Sequence, residues 1–391
     1  MTHPDEALAL IARQEVSILP EEPEAVPLAR ALGRVLARDL PATIDQPPFD
    51  KSAMDGFAWG GTPSDSFRIL GTLAAGRVED RHLAPGDCVR IMTGAPLPPG
   101  AERVQRVEWT EETDGRVRFI RRESSDNVIR RGVNQKSGDL LLGRRILRPA
   151  DIGILASSGY ASVPVQRKPV VGILSTGDEL RTPGEPLAPG TIYDSNGPQL
   201  AAQAAAAGCE VRSYGRFPDE PEALEAAVRT ALGECDLVLL SGGVSMGDFD
   251  YVPRVLARNG VQKIFHNLAM KPGKPTYLGR RGNVFALGLP GNPVSTFVNF
   301  ELMAKAVLAL LRGLPPEVPV VRARLAVEVS RRDAERVEFL PARLDSGGEI
   351  RALRYSGSSM LGVLAEANAL LRLEIGQKIL EPGAQIDARL L

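Results

Sequence analysis

The segment MKPGKP, residues 270–275, sets Lys271 and Lys274 on either side of a Pro-Gly turn. Prolines pre-shape such a turn, so the two ammonium groups are projected together rather than waving independently. Solvated surface lysines are the ordinary alternative. Converging ammonium groups favour an oxyanion such as phosphate, sulfate or molybdate. A second segment, SGGVSMGDFDY at 241–251, follows the apolar run CDLVLL with glycines, small hydroxyls and two aspartates. Gly242, Gly243 and Ser245 offer amide and hydroxyl donors to an anion, and Asp248 and Asp250 are hard oxygen ligands suited to Mg²⁺. Capping of a helix beginning near Tyr251 would account for one of these aspartates without any ligand.

Three more segments share this character. STGDEL (175–180) carries Ser175, Thr176, Asp178 and Glu179 directly after VVGIL; a capped helix start is its plain structural reading. In IYDSN (192–196), capping explains one of Asp194 and Asn196 but not obviously both. LPGNPVS (289–295) puts a proline at a helix start, where its amides and Ser295 face the positive end of the helix. Lysines for oxyanions and carboxylates for a divalent cation together describe a site for a phosphorylated substrate with Mg²⁺. Elsewhere, PPFDKSAMDGFA (47–58) holds Asp55 in a small-residue loop, and IMTGAPLPPG (91–100) presents Thr93 on a rigid turn.

The elements that position these loops follow from periodicity. Residues 1–40 read helical, including EALALIARQ and AVPLARALGRVLARDL. From 41 to 134, short alternating runs (SFRILGTLAAG, GDCVRIMTG, AERVQRVEWTEE, GRVRFIRRES) read as a small β domain. GDLLLGRRILRPADIGILASSGY returns to turn and helix, which makes the β domain an insertion between two halves of one module. From about 167, buried-type strands alternate with helices, implying a mostly parallel sheet whose ligand loops follow the strands. The remainder reads as a small β barrel or sandwich.

Composition narrows the function. With 47 basic and 48 acidic residues the formal net charge is −1, which argues against binding nucleic acid by bulk charge. Three cysteines form no CxxC pair and three histidines form no HExxH, so neither a thiolate nor a histidine zinc site is legible. No signal-peptide pattern and no uninterrupted apolar span is present, so a cytoplasmic protein without a membrane role is expected.

In their order, SAMDG, IMTGAPLPPGA, STGDEL, YDSN, SGGVSMGDFDY, KPGKP and LPGNPVS resemble the molybdopterin molybdenumtransferase family, related to the C-terminal domain of gephyrin. The resemblance runs over essentially the whole chain, RVEFL and SGSSM included. It implies an α/β multidomain protein: an elongated linker and dimerisation domain (1–45 with 135–166), an inserted β domain (46–134), a molybdopterin-binding α/β domain (167–315) and a C-terminal β-barrel-like domain (316–391). The activity it implies is insertion of molybdate into adenylylated molybdopterin, with Mg²⁺ and release of AMP. Lys271, Lys274, Ser295 and Arg336 would hold molybdate or phosphate oxygens, with Ser359 a further contact and Thr93, Ser175, Thr176, Gly242, Gly243, Ser245 and Pro275 lining the site. Asp55, Glu179, Asp219 and Asp250 would serve the chemistry, and Asp178, Glu179, Asp248 and Asp250 the metal.

The resemblance further implies a homodimer in which Asp55 and Lys271 of one site come from different copies, and transient contact with the adenylyltransferase and with molybdoenzyme-maturation proteins. Lys51 replaces a usual Asn, and Gly132-Val133-Asn134 replaces a usual Gly-Glu-Asp. These departures define the alternative expectation, a carrier of adenylylated molybdopterin with weak or no turnover.

Overall fold

The computed structural model describes residues 1–16, 23–218, 220–244, 251–316 and 319–391. They form two compact units, one of Met1–Glu24 with Gln166–Leu391 and one of Ala25–Val165.

Within the Ala25–Val165 unit, a six-stranded sheet runs in the order Arg103–Arg106, Gly56–Trp59, Asp87–Ile91, Ser66–Leu73, Arg116–Phe119, Thr110–Thr113. Strand alternation gives it two apolar faces. Phe57, Trp59, Phe67, Val117 and Phe119 pack on one, and Ala58, Leu73, Val89, Ile91 and Val104 on the other. A separate core joins Val26, Leu36 and Leu40 to Leu142, Leu147, Leu155 and Val165.

The helix expected over AVPLARALGRVLARDL does not form. The chain there is a strand at Glu24–Pro27 and one 3₁₀ turn at Leu28–Arg30. Gly33 sits at φ +74°, and its N–H goes to Leu147 O instead of back along a helix. Leu36 bridges Val165 and Val35 bridges Ile146, so tertiary pairing takes the backbone that helical spacing would have used. The N-terminal helix Pro4–Ala12 does form, but in the other unit. Its Ala7 and Ile11 are fully buried in the α/β core.

The Met1–Glu24/Gln166–Leu391 unit is built on a six-stranded sheet ordered Glu210–Phe217, Val170–Thr176, Leu237–Ser241, Val284–Leu289, Tyr277–Arg281, Gln262–His266. The first four strands are parallel and the last two pairings antiparallel. The central parallel strands are buried on both faces, as near-continuous apolar runs such as VVGIL and DLVLL require. Helix Pro293–Leu311, with a π turn at Phe300–Ala304, has the length and hydropathy to cross a membrane, yet 78% of its most apolar window is buried inside this protein. It is a core helix.

The C-terminal part closes a five-strand barrel: Val337–Leu344, Glu349–Ala352, Val320–Leu325, Gln385–Leu390 and Ala369–Leu373, the last pairing back to the first. Met270–Lys271, from the lysine loop, adds in parallel to Val337–Leu344, with Lys271 opposite Glu338.

Candidate active site

Strand register makes the site. Ser175 lies opposite Ser241, and Ser241 opposite Leu289, so three parallel strands end level with one another. Glu210–Phe217, Val170–Thr176 and Leu237–Ser241 are neighbours in that order across the sheet but come second, first and third along the chain. Their following loops therefore diverge between Val170–Thr176 and Leu237–Ser241, where open α/β sheets bind ligands.

A cavity of ≈ 700 Å³ opens at those strand ends, lined by Thr176, Glu179, Asn196, Gly242, Gly243, Pro275 and Ser359 among others. Gly242 and Gly243 take φ of +96° and +62°. A Cβ on Gly242 would stand 2.5 Å from Thr176 O, so only glycine lets the two loops approach this closely. Two buried oxygens in this wall, Thr176 Oγ1 and Asn196 Oδ1, lack a hydrogen-bond partner among the described residues. Such groups are usually completed by a ligand or ordered water.

The capping ambiguity in IYDSN resolves cleanly. Asp194 accepts from Gly197 N at 2.9 Å and is the cap. Asn196 instead donates to Ser241 Oγ and Gly291 O, both at 2.7 Å, tying the ends of two strands together. The helix start considered for STGDEL is not present. Gly177 takes φ +146°, and Leu180–Arg181 pairs with Ile192–Tyr193, leaving Asp178 and Glu179 exposed.

A second cavity of ≈ 860 Å³ adjoins the first, with Pro275, Pro290 and Asn292 common to both. Its wall carries Lys271, Lys274, Ser295 and Arg336, joined by Arg331, Arg332, Glu328, Asp333 and Glu338. Five cations thus face three carboxylates, leaving an excess of positive charge for an anion. Lys271 Nζ is 2.9 Å from Glu338 Oε1, and Arg336 is 3.8 Å from Asp333. The Glu335 N–H, with Arg336 and Lys271 nearby, holds Asp333 below the usual carboxylate range. Burial, with Glu338, pushes the Tyr355 hydroxyl up to about 12, so it remains a neutral donor on this wall.

Asn299 fixes the lysine loop. It is fully buried, donates from Nδ2 to Ser295 O at 2.9 Å, and accepts at Oδ1 from the Thr276 hydroxyl at 2.8 Å. That hydroxyl also lies 2.7 Å from Gly273 O. A Cβ at Gly273 (φ +103°) would meet Asn299 Nδ2 at 2.1 Å, so loop backbone packs directly on the amide. The serine-rich turn is tied in similarly, Ser358 O accepting from Val294 N at 3.0 Å.

The structure therefore gathers Thr176, Glu179, Gly242, Gly243, Pro275 and Ser359 around one cavity, and Lys271, Lys274, Pro275, Ser295 and Arg336 around its neighbour. Ser175 is 2% exposed and lines neither. Asp219, Ser245, Asp248 and Asp250 lie outside the described residues. Asp55 and Thr93 belong to the Ala25–Val165 unit, where the Asp55 carboxylate accepts from Thr93 N and Oγ1. Sequence reading did not single out Asn299, Arg331 or Glu338. The charged run RRDAERVE was the available signal for the last two.

Among the described residues no group of three or more His, Cys, Asp or Glu side chains is placed to hold a metal. Cys88, Cys209 and Cys235 are free and buried, and burial pushes Cys88 up to about 12 and Cys209 up to about 11. Neither of those two thiols is a nucleophile at neutral pH. Adjoining cationic and glycine-rich cavities beside a mostly parallel sheet place the chain in the α/β class, with walls suited to phosphorylated or oxyanionic ligands.

Comparison with known proteins is specific. Residues 2–159 match the MoeA N-terminal region (domain I and II), 172–310 a probable molybdopterin binding domain, and 322–391 the MoeA C-terminal region (domain IV). The chain is 35% identical over 390 residues to the molybdopterin molybdenumtransferase of Bacillus subtilis (strain 168), covering 95% of this chain and 90% of that one. It is 32% identical over 397 residues to that of Staphylococcus aureus (strain N315), covering 98% and 94%. The crystal structure of a molybdopterin biosynthesis moeA protein from Pyrococcus horikoshii OT3 superposes with a TM-score of 0.86 at 29% identity, covering all of both chains. The chain belongs to the molybdopterin molybdenumtransferase family, the transferases of molybdenum cofactor biosynthesis.

Proposed function

We propose that this protein inserts molybdate into adenylylated molybdopterin and releases AMP in a Mg²⁺-dependent reaction. The observation that carries the reading is the pair of adjoining cavities. One is cationic and suits a tetrahedral oxyanion, and the other is glycine-walled and suits a phosphorylated organic ligand. Lys271, Lys274, Arg336 and the Ser295 hydroxyl would hold molybdate oxygens, while Gly242, Gly243, Thr176 and Ser359 would seat the phosphorylated pterin. Pro275, on both walls, keeps the two ligands adjacent. Hydrolysis of the phosphoanhydride then releases AMP beside the waiting molybdate, without a covalent enzyme intermediate.

The carboxylate donors suit Mg²⁺, which takes one or two carboxylates together with substrate phosphates and keeps several waters. Asp178 and Glu179 would hold it, together with Asp248 and Asp250. Bound there, Mg²⁺ neutralises charge on the phosphoanhydride. The same reading makes the protein a cytoplasmic homodimer that exchanges ligands with the adenylyltransferase and with molybdoenzyme-maturation proteins.

AMP release from adenylylated molybdopterin, followed with and without molybdate and Mg²⁺, tests the proposal. Release that requires both ions supports it. Tight binding with no release would replace it with the carrier reading, and Lys51 and Val133-Asn134 would be the first residues to revert.

A further inference from the structure

We infer that Glu338 is a counter-ion that sets the anion affinity of the chamber. It holds Lys271 partly neutralised, so that the ≈ 860 Å³ cavity does not trap abundant oxyanions such as sulfate or phosphate. The inference rests on the reading of this cavity as the molybdate site.

Glu338 is 4% exposed, yet both of its oxygens face cations: Oε1 lies 2.9 Å from Lys271 Nζ and Oε2 3.4 Å from Arg331 Nη1. The two cations differ in their needs. Arg331 is buried, and its guanidinium already donates to the backbone oxygens of Gln377, Arg336 and Glu374. Of its five N–H donors these bonds use three, and Nη1 also donates to Glu338 Oε2 at 3.4 Å. Lys271, with its side chain 49% exposed, has Glu338 as its ion-pair partner among the described residues. Glu338 thus serves both cations through different oxygens, and through Oε1 its charge acts on the exposed lysine of the anion chamber.

The placement is built into the backbone. Lys271 and Glu338 are direct partners in the parallel pairing of Met270–Lys271 with Val337–Leu344. The carboxylate thus shares the cavity wall with the ammonium, occupying one of its three donors and leaving two. An oxyanion docked on those two donors would feel the Glu338 charge from roughly 5–6 Å. In the open, water-filled cavity, screened at close to the dielectric of bulk water, this repulsion lowers affinity roughly tenfold for a dianion.

The test is direct binding of molybdate, sulfate and phosphate to the full-length chain by titration calorimetry, without pterin. It needs no turnover, so its result is separable from success or failure of the AMP-release assay. Glu338→Gln keeps the shape and the acceptor toward Lys271 but removes the charge. All three anions are expected to bind at least fivefold tighter, and Glu338→Asp, which keeps the charge but draws it back, about twofold tighter. Adding Lys271→Met to Glu338→Gln should abolish the gain. Unchanged or weaker binding by Glu338→Gln at an unchanged melting temperature would overturn the inference, as would a gain that survives Lys271→Met. If Glu338→Gln fails to fold, Glu338→Asp decides by the same criterion.

Discussion

Asp55 and Thr93 form a two-pronged clasp: one carboxylate oxygen accepts the Thr93 N–H at 2.7 Å and the Thr93 hydroxyl at 2.6 Å. The hydroxyl first, and then the amide, hold the Asp55 carboxyl below its ordinary value of 3.8. Because the folded value is the lower one, the clasp stabilises the fold above the ordinary value and is lost as pH falls through the folded value. Thr93→Val removes the main cause. The Asp55 titration midpoint, followed by carboxyl-carbon NMR, should rise toward 3.8; a midpoint that stays put would refute the clasp.

The lysine loop should depend on a residue that touches no ligand. Asn299→Ala leaves Ser295 O and the Thr276 hydroxyl short of a partner and opens space beneath Gly273. A stability loss of about 1–3 kcal/mol by chemical denaturation is expected, from unpaired buried groups. Molybdate KM should rise several-fold with kcat little changed. Thr276→Val should share the defect and Thr276→Ser escape it.

Two glycines separate backbone strain from close approach. Gly190, at φ +80°, has open space around a built Cβ, whereas the Cβ of Gly242, at φ +96°, would meet Thr176 O at 2.5 Å. Gly190→Ala should cost only the strain of a left-handed residue, of order 1–3 kcal/mol. Gly242→Ala should cost more and also weaken nucleotide or pterin binding at least tenfold, measured by calorimetry. Equal losses in the two variants would sink the distinction.

The N-terminal helix is held by burial more than by charge. Arg372 grips Asp5 through two bonds of 2.7 Å, but the Asp5 side chain is 53% exposed, so Arg372→Gln should cost less than about 1 kcal/mol. Ile11 is fully buried, and Ile11→Ala should cost about 2–5 kcal/mol. Hydrogen exchange over residues 4–12 will rank them; the reverse order would contradict this account.

The alternation of strands and helices after residue 167 was legible because the central strands are buried on both faces and the helices carry their own period. The loops at the strand ends were legible for a different reason: glycines, prolines and small hydroxyls have few uses other than turns and ligand approach. Residues 24–40 were not, because Leu28, Ala31, Leu32, Val35 and Leu36 satisfy helical spacing while Leu32 is 59% exposed and the backbone bonds to residues 145–165. No local pattern encodes those distant partners. Glu338 was hidden by its neighbours, since an acid in RVEFLPARL reads as the solvent side of a half-buried strand, whereas the Val337–Phe339 segment is buried throughout. Asn299 was hidden inside an apolar helix whose polar contact lies in another loop.

The short pairing of Met270–Lys271 with the barrel has a consequence for how such a chain can be recombined. The barrel strands all follow the last α/β helix, Pro293–Leu311, along the chain, which makes the barrel look like an exchangeable C-terminal cassette. It is not one. One rung of its ladder is borrowed from the lysine loop, and that rung sets an ammonium against a carboxylate. A chimera that swaps the barrel imports a foreign acid, or none, beside Lys271, and so changes the anion chamber without altering a residue of the α/β domain. The unit that must be inherited together is therefore a pair of positions 67 residues apart, 271 and 338, which straddles the domain boundary.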